Sequence, residues 1–330
     1  MPFLSEPTLL VACIEVVIGV LLLAKAADEF VDGAAHIATK ARLSPVLVGA
    51  LIVGFGTSAP ELLVSSLAAQ GGNAELGFGN IIGSNVANLS LVLGAAAIIV
   101  PVLVTRAVLG REAPLSLMAV LLFAALAYWG GLTRLDGLIL AVALVASLSW
   151  IIAGGRGVGE EDDDEDEAGP LRAEIVRTIV GLVGTVAGAQ LLVWGAQGIA
   201  DEFGLKGGFV GFTLVAVGTS LPELMTGIAA ARRKATDLLL GNLLGSNIFN
   251  SLAVGTAIAL LGPGPMGDEG LRSIGLVVMV LVAIGAVVAM ATRRRVHRVE
   301  GAALLAAWVI AVILLAQNGT DPAGEALAYF

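Results

Sequence analysis

The chain has 330 residues, of which 57% are hydrophobic and 14% are charged, and its formal net charge is −9. Soluble domains are about 45–50% apolar and about 25% charged, so this composition excludes an ordinary soluble globular protein. The acidic balance also excludes the basic surface that a nucleic-acid-binding protein presents.

Long apolar blocks divide the chain into ten predicted transmembrane spans. A helix needs about 20 residues to cross a hydrocarbon layer of about 30 Å, whereas a membrane β-barrel would show alternating segments of about ten residues. We therefore predict an all-α membrane protein, and we expect the first block to be retained because Met1–Pro7 lacks Lys and Arg. The predicted spans are 8–38, 43–70, 75–104, 112–130, 135–153, 173–200, 207–231, 236–262, 271–292 and 299–317.

Lys and Arg are distributed unevenly between the loops that join these spans. Fourteen of the 18 fall in loops on one side and three on the other, while Lys25 lies within the first span. Cytoplasmic loops carry an excess of Lys and Arg, so we expect both termini outside and the loop 154–171 in the cytoplasm. Its eight consecutive acidic residues, Glu160–Glu167, lack the ligand spacing of an EF-hand, and we interpret them as a solvated linker.

A sequence repeat with a constant offset of 162 residues runs through the chain. The matched pairs are Gly56–Leu62 with Gly218–Leu224, Gly79–Asn85 with Gly241–Asn247, and Asn88 with Asn250. The repeated unit contains five spans, an odd number, so the second copy must enter the membrane from the opposite side. We predict two inverted five-helix repeats, 1–153 and 172–330, joined by the acidic linker 154–171, with a site where they meet.

Two glutamates, Glu61 and Glu223, occupy equivalent positions in the interior of the second and seventh spans. A carboxylate at the centre of a membrane helix costs roughly 2.5–3.5 kcal/mol on insertion scales. One explanation is a pair of protonated structural carboxyls bonded to neighbouring helices. Pairing with an intramembrane Lys or Arg fails as another, because the spans hold none near these positions. A bound cation is the natural counter-charge, and two carboxylates match one divalent ion.

A proline precedes each glutamate, Pro60 in the first repeat and Pro222 in the second. Proline inside a helix removes a backbone hydrogen bond, and freed carbonyls in a membrane are tolerated only where they are buried or line a watery cavity. We therefore predict that helices two and seven are broken beside the carboxylates. Ca²⁺ takes 6–8 oxygen ligands, which a carboxylate and freed carbonyls together supply.

The third and eighth spans supply neutral oxygen donors for the same site. Ser84 and Asn88 are four residues apart, as are Ser246 and Asn250, so each pair shares a helix face. Taken alone, such Ser and Asn residues would be interpreted as forming hydrogen bonds between helices. The nearby glycines allow these helices to pack closely. Beside the two glutamate motifs, we predict that they are ligands at or near a cation site.

The motifs G-T-S-x-P-E-L and G-N-x-x-G-S-N-x-x-N resemble the α-repeats of the calcium/cation antiporter superfamily, which includes the sodium/calcium exchangers. The resemblance implies alternating access in a prokaryotic plasma membrane, with Na⁺ entry driving Ca²⁺ out and no cofactor. It implies that Glu61, Glu223 and the carbonyls of Thr57 and Thr219 hold Ca²⁺. It also implies that Na⁺ uses these carboxylates with Thr57, Ser58, Ser84, Thr219, Ser220, Ser246 and the carbonyl of Ala216. Asn250 replaces the acid on which potassium-dependent members rely, which argues against K⁺ co-transport.

Other functions remain open at this point. The closest alternative exchanges Ca²⁺, or another divalent cation, for H⁺, with the two glutamates carrying protons. A cation channel would also use buried carboxylates, but channels usually build filters from rings of subunits. The sequence contains no nucleophile–base pair, phosphate loop or HExxH motif, so we do not expect an enzyme. A monomer should suffice, because one chain supplies both halves of the site.

Overall fold

The computed structural model describes residues 9–41, 43–72, 74–155, 170–202 and 220–318, which are mostly helical. The helices are α1 (Leu9–Lys40), α2 (Pro45–Thr57), α3 (Ala59–Gln70), α4 (Ala74–Ile99), α5 (Val108–Tyr128), α6 (Arg134–Gly155), α7 (Leu171–Glu202), α8 (Leu221–Arg232), α9 (Thr236–Leu261), α10 (Leu271–Arg294) and α11 (Arg298–Asn318). Two strands, β1 (Val102–Leu103) and β2 (Arg295–Val296), form an antiparallel ladder.

Within the described residues, seven helices are long and apolar enough to cross a membrane: α1, α4, α5, α6, α9, α10 and α11. Helices α2 and α3 pass the same test together and meet at an angle of 43° at Ser58. The chain is therefore a multi-pass helical membrane protein. Helical residues occur in each of the ten predicted spans, although 207–219 of the seventh lies outside the described residues. The count of ten crossings stays a prediction.

Helices α4 and α9 form the centre of the molecule. In each, 78% of the apolar window is buried, compared with 22–44% for the other helices that could cross a membrane. Both are interrupted by a π turn, at Asn88–Val92 in α4 and at Asn250–Val254 in α9. These turns are separated by the same 162 residues as the sequence motifs, so the repeat is also present in the backbone.

Glycine allows α2 to contact α9 directly through the backbone. A Cβ atom added at Gly49 would lie 2.3 Å from the carbonyl oxygen of Leu238, and one added at Gly241 would lie 2.3 Å from that of Val46. At Gly245 it would lie 2.5 Å from a backbone atom of α2. No side chain larger than hydrogen fits between helices this close, which explains the glycines in this motif.

The two longest helices, α1 and α7, pack along each other over most of their length. A Cβ at Gly181 of α7 would lie 2.5 Å from the backbone nitrogen of Phe30, and one at Gly195 would lie 2.5 Å from the carbonyl oxygen of Ala12. The window of α1 is only 24% buried, so α1 lies at the edge of the molecule.

An ion-pair network links the α1–α7 pair to the end of α8. Arg177 of α7 donates to Glu29 at 2.6 Å and to Asp32 at 2.9 Å. Arg233, just after α8, donates to Asp28 at 2.9 Å and also pairs with Asp32. Asp32 therefore contacts both arginines and joins the edge pair to the helix that carries Glu223.

The structure corrects two predicted boundaries. The third span was predicted to continue to residue 104, but α4 ends at Ile99, and Val100 is extended, with φ −142° and ψ 136°. The cause is Pro101, since the residue before proline is disfavoured in the helical region. The fourth span was predicted from residue 112, but helix α5 begins with a π turn at Val108. The ladder of β1 and β2 joins the segment between α4 and α5 to the segment between α10 and α11, and it was not predicted.

Candidate ion-binding site

The predicted site residues that the structure describes lie in one buried polar region between α2, α3, α4, α8 and α9. Glu61 is 1% exposed and Glu223 is fully buried, so neither carboxylate reaches the surface in this conformation. The neutral members are equally buried: Thr57, Ser58, Ser84, Asn88, Ser220, Ser246 and Asn250. Thr219 and Ala216 lie outside the described residues.

Hydrogen bonds between the repeats bring the two glutamate motifs together. The Ser58 hydroxyl of the first repeat donates to Oε1 of Glu223 in the second repeat at 3.0 Å. The Ser220 hydroxyl of the second repeat lies 3.4 Å from the Ser84 hydroxyl of the first. Ser58 sits at the bend between α2 and α3, so the break in the helix aims its hydroxyl at the opposite repeat.

A second set of contacts joins α2 to α9 beside these motifs. The Ser246 hydroxyl donates to the carbonyl oxygen of Gly54 at 3.1 Å. The Thr57 hydroxyl donates to the carbonyl oxygen of Val53 at 3.0 Å and lies 3.4 Å from Oδ1 of Asn242. These hydroxyl and carbonyl oxygens line the same region as the carboxylates, as the sequence predicted for Ser246 and Thr57.

Several buried oxygens of this region have no hydrogen-bond partner among the described residues. They are both carboxylate oxygens of Glu61, Oε2 of Glu223 and the side-chain oxygens of Asn88 and Asn250. An unsatisfied buried polar group costs about 1–3 kcal/mol, and more when it is charged. These oxygens accept hydrogen bonds or bind a cation, whereas the amide nitrogen of Asn250, which also has no partner among the described residues, is a donor.

Two asparagines support the carboxylates, and no role was predicted for either from the sequence. Asn80 donates to the backbone carbonyl of Glu61 at 3.3 Å and to the Ser65 hydroxyl at 2.9 Å. Asn242 donates at 3.2 Å to the Thr226 hydroxyl, which itself lies 3.1 Å from the carbonyl oxygen of Glu223. Both occupy the second position of G-N-x-x-G-S-N, so their recurrence in the repeat was the available signal.

The end of the motif joins α4 to α9 across the repeats. The amide of Asn88 donates to Oδ1 of Asn247 at 3.0 Å, and the amide of Asn247 donates to the carbonyl oxygen of Asn85 at 3.3 Å. The amide nitrogen of Asn88 thus forms a hydrogen bond between the helices, while its side-chain oxygen has no hydrogen-bond partner among the described residues. The predicted ligand role and the structural role of interhelical hydrogen bonding are both compatible with this geometry.

The charge of the site comes from two carboxylates. Within the described residues, no group of three or more His, Cys, Asp and Glu side chains could hold a metal ion. Glu61 and Glu223 therefore give this region a formal charge of −2 when both are ionised. Two carboxylates surrounded by neutral hydroxyl, amide and carbonyl oxygens suit a hard cation such as Ca²⁺ or Na⁺.

A buried, oxygen-rich cluster shared by two repeats within a helical membrane protein defines this chain as a membrane cation transporter. Comparison with known proteins identifies the class further. The sequence model for the sodium/calcium exchanger protein family matches residues 12–153 and 174–317, and the chain belongs to this family.

Relatives and solved structures agree with this assignment. The chain is 37% identical over 312 residues to the putative antiporter CaxA of Alkalimonas amylolytica, covering 91% of this chain and 97% of that protein. It is 26% identical to the sodium/calcium exchanger MaX1 of Methanosarcina acetivorans, covering 90% and 96%. The structure of the sodium-calcium exchanger NCX_Mj soaked with 10 mM Na⁺ and 10 mM Sr²⁺ superposes with a TM-score of 0.83 at 31% identity, covering 93% and 99%. These matches confirm the predicted superfamily.

Proposed function

We propose that this protein exports Ca²⁺ from the cytoplasm in exchange for Na⁺ by alternating access. One observation carries the proposal: a hydroxyl of the first repeat, Ser58, binds the carboxylate of the second, Glu223, beside the unpartnered oxygens of Glu61. The site is therefore shared between repeats. Two inverted five-helix repeats with broken helices two and seven would place such a site at the middle of the membrane.

The donor set supports competition between the two ions for one site. Ca²⁺ binds 6–8 oxygens and is neutralised by the two carboxylates, which we propose hold it together with the carbonyls of Thr57 and Thr219. Na⁺ ions would use the same carboxylates with the buried hydroxyls and the carbonyl of Ala216. The proposed Na⁺ hydroxyl ligands are Thr57, Ser58, Ser84, Thr219, Ser220 and Ser246, with Asn88 and Asn250 as neutral neighbours.

The electrical balance follows from this charge count. If three Na⁺ exchange for one Ca²⁺, one net charge moves inward per cycle, and a potential of 100 mV contributes about 2.3 kcal/mol. Asn250 contributes no charge, so the site offers two carboxylates and we propose no K⁺ co-transport. The transported ions are substrates, and we propose no cofactor.

The proposal includes an orientation and an assembly. Most Lys and Arg residues lie in loops on one side, which supports a cytoplasmic position for loop 154–171 and outside positions for both termini. The two repeats of one chain contribute to the one site, so we propose a functional monomer in a prokaryotic plasma membrane. Residues 156–169 of the acidic loop lie outside the described residues.

A proton-coupled Ca²⁺ antiporter is the second candidate. The observation that favours it is Glu61, whose two carboxylate oxygens have no hydrogen-bond partner among the described residues and could accept a proton. The wall of hydroxyl groups favours Na⁺, because neutral oxygens add nothing to a simple proton site. A channel differs from both exchangers, since it passes Ca²⁺ without an opposing ion.

The test is uptake of radioactive Ca²⁺ into proteoliposomes loaded with Na⁺, beside a set loaded with K⁺ and given a pH gradient. Sodium/calcium exchange predicts uptake that needs internal Na⁺. Uptake that follows the pH gradient and ignores Na⁺ would assign the proton-coupled function instead. Uptake that needs neither gradient would indicate a channel.

Glutamine substitutions locate the activity in the site. Glu61→Gln and Glu223→Gln keep the side-chain shape but remove a charge, and we expect each to abolish Na⁺-driven uptake. The matched control is Glu269→Gln, because the Glu269 side chain is 86% exposed and lies outside the buried cluster. Full exchange in both site variants would refute the role of the carboxylates.

A further inference from the structure

A basic cavity of about 470 Å³ is lined by none of the predicted ion-site residues. It is formed where the connection between α4 and α5 meets the connection between α10 and α11. Arg293, Arg294, Arg295 and His297 line one side, and Leu103–Thr105 lines the other. Three consecutive arginines at the end of a membrane helix are more than helix termination requires.

The backbone holds these arginines around the cavity. Arg293 and Arg294 have φ values of 55° and 52°, in the left-handed region that residues with side chains rarely adopt. The turn is fixed by the ladder, in which Leu103 pairs with Arg295, and by the bond from the Val104 amide to the Arg294 carbonyl at 3.0 Å. A strained turn of this kind persists only where its surroundings impose it, and strain of this kind clusters at ligand-binding sites.

Among the described residues, no carboxylate forms an ion pair with the arginines of the cavity. None of Arg293, Arg294 and Arg295 forms an ion pair with any of the residues that the structure describes, and all three are exposed. This contrasts with Arg177 and Arg233, which are both paired with carboxylates. The one carboxylate at this turn, that of Glu300, accepts a hydrogen bond from the backbone nitrogen of His297 at 2.7 Å.

One exposed apolar side chain lines the cavity itself, Leu103, which is 48% exposed. Two others precede the lining segments by five residues, Ile98 in α4 and Val288 in α10, and they are 43% and 58% exposed. Arginine binds phosphate oxygens through paired N–H groups, and exposed apolar side chains at a helix end contact acyl chains. A phosphate and an apolar tail side by side are what a phospholipid presents.

We propose that this cavity binds the headgroup of an anionic phospholipid, with the three arginines contacting the phosphate. Basic pockets at the ends of membrane helices bind such headgroups by the same chemistry. The bound lipid neutralises the arginine run and links α4, α5, α10 and α11, all of which lie outside the α1–α7 pair.

The experiment uses the purified full-length protein in neutral detergent. Dioctanoyl phosphatidylglycerol and dioctanoyl phosphatidylcholine are titrated separately, with the melting temperature and bound lipid by native mass spectrometry as readouts. The site variant is Arg293→Gln/Arg294→Gln/Arg295→Gln. The control, Arg172→Gln/Arg232→Gln/Lys234→Gln, removes the same charge from exposed residues that do not line the cavity.

We expect phosphatidylglycerol, but not phosphatidylcholine, to bind and raise the melting temperature of the wild type and of the control. The site variant should bind phosphatidylglycerol about 100-fold more weakly, given the contribution of each basic residue near an anionic lipid. The melting temperature of the site variant without added lipid, together with its Na⁺-driven Ca²⁺ uptake, shows whether this variant folds. If it does not fold, the single variant Arg294→Gln replaces it.

Three outcomes would overturn the proposal. Equal loss of binding in the control would show a general charge effect, and an equal response to inorganic phosphate would show a phosphate site without lipid specificity. Phosphatidylglycerol binding to the folded site variant with wild-type affinity would show that the three arginines do not hold the headgroup.

Discussion

Replacing Gly245 with alanine tests whether the contact between α2 and α9 sets the geometry of the ion site. The added Cβ would lie 2.5 Å from Cα of Ala50 and 2.6 Å from its carbonyl oxygen. Both neighbours are backbone atoms, so no side-chain rotation relieves the overlap. Ordinary contact begins at 3.4 Å, and because protein interiors are close-packed, α9 must move from α2 by about 0.9 Å.

The size of the effect follows from the neighbouring residue. The Ser246 hydroxyl lies 3.1 Å from the Gly54 carbonyl, and this shift lengthens the distance to about 4.0 Å, beyond hydrogen-bonding range. A misplacement of about 1 Å in a functional site can cost about 100-fold in rate. We therefore expect Na⁺-driven Ca²⁺ uptake at low Ca²⁺ to fall by about 10- to 100-fold, with about 1–3 kcal/mol lost from stability.

The assay compares Gly245→Ala with Gly285→Ala in proteoliposomes, together with the melting temperature of each. A Cβ at Gly285 has no atom within 4 Å, so this helical substitution should leave uptake unchanged and stabilise α10 by about 0.5–1 kcal/mol. If a folded Gly245→Ala protein transported Ca²⁺ with wild-type affinity, the close contact would not control the site.

Two further substitutions test the supports around the site. Asn80→Ala removes the amide that donates to the Glu61 backbone carbonyl and the Ser65 hydroxyl. We expect the free energy of unfolding to fall by about 1–3 kcal/mol. An unchanged melting temperature would contradict this. Arg233→Gln breaks the partly exposed ion pairs to α1, including the pair with Asp32. We expect the free energy of unfolding to fall by about 0.2–1 kcal/mol for each pair. A double-mutant cycle with Asp32→Asn measures this coupling free energy. We expect it to shrink when the ionic strength is raised with choline chloride. Purely additive effects of the two substitutions would show that the pair contributes nothing.

Much of the helical organisation was predictable because lipid imposes a simple rule on composition. Apolar blocks of about 20 residues must be helices there, and the positions of α4 and α9 followed from them. The end of α4 was placed too late because hydropathy continues through Val102–Val104 while Pro101 stops the helix. The pairing of Leu103 with Arg295 depends on residues far apart in the chain, which hydropathy does not relate.

The grouping of the described candidate residues in one buried region was predictable, but their contacts were not. The constant offset identified Glu61 and Glu223, since a charged residue repeated inside a membrane helix needs a functional reason. The same pattern contained Asn80 and Asn242, but a repeated amide does not reveal which carbonyl or hydroxyl it supports. The bond from Ser58 to Glu223 could not be read from sequence, because it depends on how the two repeats dock.

The bond from Ser58 to Glu223 makes the two halves of the chain depend on each other. Ser58 of the first half forms part of the environment of the carboxylate in the second half, so a substitution at Ser58 changes the surroundings of Glu223. Elsewhere the two halves differ, as at the buried Glu112 of the first half, which corresponds to Ile274 in the second. A change at Ser58 therefore acts on a carboxylate 165 residues further along the same chain, so the two halves of the molecule are coupled at this contact.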